Sequence, residues 1–145
     1  MILSLTGQRS TSVIKPFIDS NVLIYLLSSD EKKAEQAEAI LQKPAIISVQ
    51  VLNEVTHVAR YKAKLTWEAV ESWMRLIQSL CCVENLTPES HHLGRRIAKQ
   101  YNISVYDSMI VASALLAGCH TLYSEDMQEG MIFDQSLRII NPFRQ

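Results

Sequence analysis

Residues 17–25 read Phe17-Ile18-Asp19-Ser20-Asn21-Val22-Leu23-Ile24-Tyr25, and this stretch decides the fold. A short apolar run, opened by Pro16, ends at the carboxylate of Asp19, and a second apolar run follows at once. This pattern predicts a short strand that turns into a helix at Asp19. In open α/β sheets, ligands bind at the carboxyl ends of the strands. Asp19 is therefore the first candidate site residue.

Three further carboxylates stand where a predicted strand ends or a predicted helix begins. Glu54 follows the strand-like run 45–47, and Asp126 follows the run 121–124. Asp107 lies in the first turn of a strongly apolar helix. If the strands are parallel, their carboxyl ends meet at one edge of the sheet, and we expect all four acids to meet there.

Strands and helices alternate along the chain from Pro16 onward. The predicted strands are 17–19, 45–47, 81–86, 120–124 and 137–140. The predicted helices are 21–27, 31–42, 48–64, 67–80, 88–101 and 106–117. This alternation predicts an α/β fold in a single domain, residues 16–145, with a short central parallel sheet flanked by helices on both faces. Residues 1–15 are rich in serine and threonine, and we expect them to form an N-terminal extension.

Length and composition are typical of one globular domain in a reducing compartment. The chain has 145 residues and a mass of 16.4 kDa, with 48% hydrophobic and 20% charged residues. Its net charge of -1 gives no global basic field, although a local patch is enough to bind a nucleic acid. The 3 cysteines form no disulfide or zinc pattern, which favours the cytoplasm. No apolar run approaches the ~20 residues of a membrane span, so no membrane association is expected.

Carboxylates gathered at one edge repel one another unless a proton or a cation lies between them. Oxygen ligands without Cys or His favour Mg²⁺ or Mn²⁺ over zinc, and such a cluster supports phosphoryl transfer. Taken singly, the acids also have structural explanations: Asp19 as a helix cap, Asp107 as a favourable first-turn acid and Asp126 as a turn residue. Their shared edge favours the metal site.

Basic residues beyond Glu54 are weaker candidates for binding the substrate backbone. Arg60, Lys62 and Lys64 follow Glu54 on the same predicted helix, and such cations attract phosphates. The commoner role of cations at this position is to lie in solvent at the negative end of the helix dipole.

The predicted helix 67–80 carries a wide apolar face that includes Trp67 and Trp73. So wide a face on a short pair of helices predicts self-association. Burial of both tryptophans in the core of one domain explains it equally well.

Five ordered segments resemble the PIN-domain family, and within it the VapC-type toxin ribonucleases of type II toxin–antitoxin systems. The segments are 17–23, Ile47-Ser48 with Asn53-Glu54-Val55, Tyr106-Asp107-Ser108, 123–128 and 138–143. Their order and spacing hold from Phe17 to Phe143, nearly the whole chain. Each motif alone is short, but the ordered set is fairly specific.

The resemblance implies an endoribonuclease that depends on Mg²⁺ or Mn²⁺ and hydrolyses RNA phosphodiester bonds. The family's catalytic and metal-binding acids match, by position, Asp19, Glu54, Asp107 and Asp126. Two polar residues, Asn21 and Ser124, match positions that support these acids. The family also implies a homodimer and a small antitoxin protein as a partner, so the chain resembles the toxin of such a pair.

Three alternatives stay open. A non-enzymatic regulatory or binding module would use the same fold and keep the acids for a structural cation or for docking. A metal-dependent phosphatase of the haloacid-dehalogenase type would place an acid two residues after its nucleophilic aspartate, where this chain has Asn21. DNA could replace RNA as the substrate, although the short chain disfavours a structure-specific DNA nuclease.

Overall fold

The computed structural model describes residues 13–144. Strands β1 to β6 are Phe17–Ile18, Ala45–Ser48, Cys81–Glu84, Thr121–Tyr123, Ile132–Phe133 and Leu137–Ile140. Helices α1 to α6 are Ser20–Ile24, Glu31–Ile40, Val49–His57, Trp67–Leu80, Pro88–Tyr101 and Val105–Leu116. A 3₁₀ helix, Tyr25–Leu27, follows α1, and a π-helical turn, Val58–Lys62, follows α3. Within this range no helix is long and apolar enough to cross a membrane.

The sheet holds β1 near its middle. The strand order is β3-β2-β1-β4-β6-β5, and every neighbouring pair is parallel except β5 and β6. Phe17 of β1 pairs with Ile46 of β2 on one side and with Leu122 of β4 on the other. The predicted α/β fold, with a mostly parallel sheet between helices, is confirmed. The carboxyl ends of β1, β2 and β4 therefore lie at one edge.

Local sequence explains where the strands and helices form. Both residues of β1 and all residues of β2 are buried, as expected for strands covered on both faces. Four helices begin after a Ser, Thr or Asp residue, the types that the N-cap position favours. Each of four cap side chains accepts a hydrogen bond from the backbone N–H three residues later: Asp30, Ser48, Thr66 and Thr87.

Several predicted boundaries are wrong. Strand β5 was not predicted, because a strand of two residues shows no periodicity. The helix predicted over 48–64 is α-helical only to His57 and then widens into the π-helical turn. Strand β3 ends at Glu84 instead of Leu86. Of the expected extension 1–15, residues 1–12 lie outside the described part of the chain, and residues 13–15 have no regular secondary structure.

Helix α6, which carries Asp107, is fixed against α5 by a close approach. Gly94 of α5 faces Met109 of α6, where an added Cβ would lie 2.5 Å from the Met109 sulfur. Small and β-branched residues bury most of the α6 surface against the rest of the domain: Ser108, Ile110, Val111, Ala112, Ser113 and Ala114. The body of α6 is therefore packed closely against α5 and the core, and Asp107 lies just before this packed part.

The apolar face of α4 is only partly covered. Val70, Met74 and Ile77 are buried, whereas Trp67 is 49% exposed and Trp73 is partly buried. The explanation that both tryptophans lie in the core is therefore wrong for Trp67. Self-association through this face stays a prediction.

Candidate functional site

Asp19 lies at the carboxyl end of β1 and opens α1. Its backbone N–H donates to the Tyr123 carbonyl of β4 at 2.9 Å, which continues the parallel pairing into the site. Its side chain caps α1 by accepting from the Ser20 backbone N–H at 2.7 Å. Asp19 is only 4% exposed. A buried carboxylate costs several kcal/mol unless its environment compensates.

Two polar side chains fix the second carboxylate oxygen of Asp19. The Ser124 hydroxyl donates to Oδ2 at 2.9 Å, and the Asn21 amide donates to the same oxygen at 3.1 Å. The Asn21 carbonyl in turn accepts from the Glu125 backbone N–H at 3.0 Å. Asn21 and Ser124, the predicted supporting residues, thus tie the ends of β1 and β4 together through Asp19.

Glu54 reaches the same site from α3. The Ser20 hydroxyl donates to Glu54 Oε1 at 2.8 Å and lies 3.4 Å from Asp19 Oδ1. A hydroxyl has one hydrogen, so the shorter contact to Glu54 takes the bond. The Gln50 amide, one helical turn earlier, lies 3.5 Å from Glu54 Oε2. Ser20 therefore bridges the two carboxylates, because its backbone N–H donates to Asp19 and its hydroxyl donates to Glu54.

Asp107 and Asp126 form the other half of the acidic edge. Asp107 is half-buried in the first turn of α6, where its backbone N–H donates to the Ser104 cap at 3.1 Å. Burial raises the pKa of Asp107, the Ser104 hydrogen bond lowers it, and the Asp126 charge raises it further. Asp126 itself is exposed in the turn after β4. The Asp126 carboxylate therefore lies near enough for its charge to act on Asp107.

The electrostatics of Asp19 connect the two halves. Burial is the main cause that raises the pKa of Asp19, to about 6; the charges of Glu54 and Asp107 add to it. The hydrogen bonds from Ser124 and the Ser20 backbone act in the opposite direction. Burial and the neighbouring charges together disfavour an ionised Asp19, and a proton or a cation at the site offsets this penalty.

The donor set suits a hard divalent cation, because every candidate ligand is a carboxylate oxygen. In residues 13–144, however, no three Asp, Glu, His or Cys side chains are close enough together to hold one metal ion. The direct link is the Ser20 bridge between Asp19 and Glu54, while Asp107 joins through its charge. A shared ion would require these side chains to move closer.

A cluster of three residues, missed by the sequence analysis, fixes the turn that carries Asp126. The Glu125 carboxylate accepts a hydrogen bond from the Tyr25 hydroxyl at 2.5 Å and forms an ion pair with the Lys33 ammonium at 2.6 Å. Lys33 lies 4.6 Å from the centre of the Tyr25 ring. The Glu125 side chain is therefore engaged with Tyr25 and with Lys33 of α2. Only the adjacency of Glu125 and Asp126 marks this position in the sequence.

The basic candidates lie beyond the last residue of α3, in the π-helical turn and the connection that follows it. The Arg60 guanidinium donates to the Leu65 carbonyl at 3.0 Å and lies 5.1 Å from the Trp67 ring centre. It therefore holds the connection between α3 and α4 together. Lys62 and Lys64 are exposed on that connection. Their role in substrate binding stays a prediction.

Solved structures share this fold. A toxin–antitoxin complex from Klebsiella pneumoniae aligns over 90% of this chain and 100% of its own, with 20% identity and a TM-score of 0.68. VapC20 of Mycobacterium tuberculosis, a sarcin–ricin loop cleaving toxin, aligns over 77% and 90%, with 15% identity and a TM-score of 0.65. VapBC2 of Rickettsia felis, bound to a promoter DNA fragment, aligns over 87% and 97%, with 18% identity and a TM-score of 0.63. At these identities the likeness establishes the fold alone.

Sequence comparison identifies the family. The chain has no significant match among curated proteins. A family model for the PIN domain matches residues 17–128, which run from β1 to the turn beyond Asp126. This range includes all four acids of the predicted site. The predicted family is confirmed: the chain belongs to the PIN-domain family.

Proposed function

We propose that this protein is an endoribonuclease that depends on Mg²⁺ or Mn²⁺ and acts as the toxin of a toxin–antitoxin pair. One observation carries the proposal. Asp19 is buried at the centre of the sheet edge, and the charges of Glu54 and Asp107 act on it there. A fold gains no stability from such crowding, so the arrangement favours a site that binds a cation.

In this proposal the acids hold the cation, and their hydrogen bonds orient them. Asp19 and Asp107 would hold the cation, and Glu54 and Asp126 would complete the set of carboxylates around it. When bound, Mg²⁺ or Mn²⁺ supplies Lewis acidity towards a phosphate oxygen and towards water. Ser124 and Asn21 keep Asp19 turned to the site.

Burial of Asp19 strengthens electrostatic interactions at the site. Its carboxylate lies in a region of low water content, where charges act with a smaller effective dielectric than at the surface. The Ser20 bridge holds Glu54 beside it without using the remaining oxygen of Glu54. Once these side chains have closed around the ion, they can position a phosphodiester, which is the main protein contribution to phosphoryl transfer.

The similar structures support RNA as the substrate and an antitoxin as a partner. VapC20 is a toxin that cleaves the sarcin–ricin loop, and the Klebsiella structure is a toxin–antitoxin complex. We infer the same kind of substrate and partner here, with a homodimer whose contact includes the exposed Trp67 face of α4. Among the described residues Cys81, Cys82 and Cys119 are free thiols, which supports a reducing compartment such as the cytoplasm.

The deciding experiment is cleavage of a mixture of structured RNAs by the purified chain. We expect fragments in Mg²⁺ or Mn²⁺, none with a chelator, and none with Asp19→Asn or Asp107→Asn. The matched control is Glu38→Gln, which removes an exposed carboxylate on α2 and should cleave like the wild type. Equal cleavage by wild type and Asp19→Asn would refute the metal-site assignment and point to a contaminating nuclease.

A non-enzymatic binding module is the second candidate. It is favoured by the absence, within residues 13–144, of three carboxylates close enough to share an ion. Its signature would be a folded chain that cleaves no RNA in Mg²⁺ or Mn²⁺. Cleavage that needs both Asp19 and the ion would exclude it.

A further inference from the structure

Most residues that line a groove beside the acidic edge take no part in the proposed cleavage chemistry. Its volume is about 720 Å³, within the range of small-ligand pockets. Helix α1 contributes Ser20 and Ile24 to its wall, and α3 contributes polar residues. Because Ser20 and Glu54 belong both to the groove and to the site, the groove opens directly onto the acids.

The aromatic wall of this groove is Tyr106. It stands immediately before Asp107 in the first turn of α6, and it is 68% exposed. A tyrosine this exposed gains little from packing within the domain. It offers a flat aromatic face next to the place where a phosphate must lie for cleavage. Unpaired bases of single-stranded nucleic acids stack on such faces.

Another part of the lining carries hydrogen-bonding groups at helical spacing. Gln50, Asn53 and His57 of α3 line the groove, and each provides both donor and acceptor atoms. Ile24 and Val58 supply its apolar surface. An aromatic ring, amide groups and apolar side chains in one groove match the flat surface and polar edge of a nucleobase. It gives no obvious complement to a second phosphate.

Chain connectivity makes a base the fitting occupant. The base that flanks the scissile phosphate is covalently attached to it, so this base must lie within one nucleotide of the acids. The groove starts at that distance, since two of its lining residues are already part of the acidic site. A partner peptide has no such constraint to this position.

We propose that the groove binds one unpaired nucleobase next to the scissile phosphate, with Tyr106 stacked on the base and Asn53 and Gln50 reading its edge. This inference rests on the proposed ribonuclease function, and it assigns the sequence preference of cleavage to this groove. Residues of the groove would select the base, while the four acids act on the phosphate.

The test separates binding from cleavage. Short single-stranded RNAs, each carrying the fluorescent base 2-aminopurine at one position around the cleaved bond, are mixed with the protein in a chelator. We expect quenching at one position with the wild type and with Tyr106→Phe, and loss of quenching with Tyr106→Ala. The control Val105→Ala changes an exposed neighbour on the same helix and should quench like the wild type.

The same variants are then compared in cleavage with Mg²⁺ or Mn²⁺, by sequencing the ends of the fragments. Tyr106→Ala should lose about tenfold to a hundredfold in cleavage at the preferred base, the usual effect of removing one stacked aromatic. Asn53→Ala should broaden the base preference while Tyr106→Phe retains it. Thermal unfolding of each variant identifies any that fails to fold, and Tyr106→Phe and Asn53→Ala then carry the test.

Each outcome has one meaning. Wild-type base preference and rate in Tyr106→Ala and Asn53→Ala, with cleavage intact, would overturn the base site and leave the nuclease proposal standing. Quenching that a partner peptide displaces only from the wild-type groove, with base preference unchanged in the variants, would assign the groove to protein binding and also overturn it. No cleavage by the wild type on any RNA would refute the proposed function, and the base site with it.

Discussion

Replacing Asp19 with asparagine should make stability less sensitive to pH. Burial and the nearby carboxylates hold the pKa of Asp19 at about 6 in the folded protein, against about 3.9 for a free aspartate in the unfolded chain. An acid with a raised folded pKa contributes stability that is fully present below the unfolded pKa. This contribution is lost as the pH rises through about 4 to 6, and the loss is complete above that range.

The size of the effect follows from the pKa difference. The folded and unfolded pKa values of Asp19 differ by about 2, which corresponds to about 3 kcal/mol of stability at 1.36 kcal/mol per pH unit. Asparagine stays neutral at every pH, so it avoids this loss. It also puts an amide where Oδ2 accepts from Asn21 and Ser124, which costs about 1–3 kcal/mol at any pH. Asp19→Asn should therefore be less stable than the wild type at pH 4, and equal to it or more stable at pH 8.

The measurable quantity is the change in that difference. Urea unfolding, followed by tryptophan fluorescence in a chelator, gives the free energy of unfolding of both proteins at pH 4 and at pH 8. We expect the difference between variant and wild type to move by about 2.4 kcal/mol in favour of the variant, because the unfolded aspartate is already about half ionised at pH 4. Hydrogen bonds lost at both pH values cancel in this comparison. A difference that stays constant from pH 4 to pH 8 would refute the reasoning, because Asp19 would then carry no electrostatic penalty.

Three further predictions concern the metal and the packing around the site. Saturating Mg²⁺ at about 100 times its Kd should stabilise the wild type by about 2.7 kcal/mol, and Asp19→Asn much less, in thermal unfolding; equal shifts would place the ion elsewhere. A hydrogen bond from Arg96 is the main cause that lowers the pKa of Asp134, so this residue should stabilise the fold above about pH 4 and lose the effect as the pH falls through its lowered pKa. The stabilities of Asp134→Asn and wild type, measured by unfolding at decreasing pH, should therefore converge in acid. The stability of Gly94→Ala should stay within about 1 kcal/mol of the wild type, because the gain in helix propensity offsets the shift of the flexible end of Met109. Gly94→Leu should separate α6 from α5 and so lower both the melting temperature and RNA cleavage. Unchanged cleavage by Gly94→Leu would argue that the position of α6 does not matter for activity.

The sequence predicted those features that depend on local chemistry or on parallel topology. Cap residues such as Ser48 and Thr87 mark helix starts by their own hydrogen bonds, so these starts were confirmed. The place of Asp19 followed from an apolar strand ending in a carboxylate. Topology then predicted that the acids share one edge, and the effect of the Glu54 and Asp107 charges on Asp19 is consistent with that prediction.

Features that depend on contacts between distant residues were not predictable in this way. The Ser20 bridge to Glu54 joins residues 34 positions apart, and a serine after an aspartate carries no sign of it. The Lys33 to Glu125 pair spans 92 positions and depends on how α2 packs beside the β4 turn. Strand β5 has two residues and exists because it pairs with β6. The spacing of the carboxylates depends on side-chain rotamers, which no sequence pattern fixes.

The place of β1 between β2 and β4 also has a consequence for the order of events during synthesis. Strand β1 is made early, but its partner on one side, β4, begins at Thr121, and Ser124, which holds Asp19, lies 105 positions further along the chain. Contacts of such separation form late and only once the distant segment is available. A ribosome-bound chain that has not yet released the β4 turn therefore lacks both Ser124 and Asp126 at the site. We expect a nascent chain to stay harmless to RNA until nearly all of it has been translated.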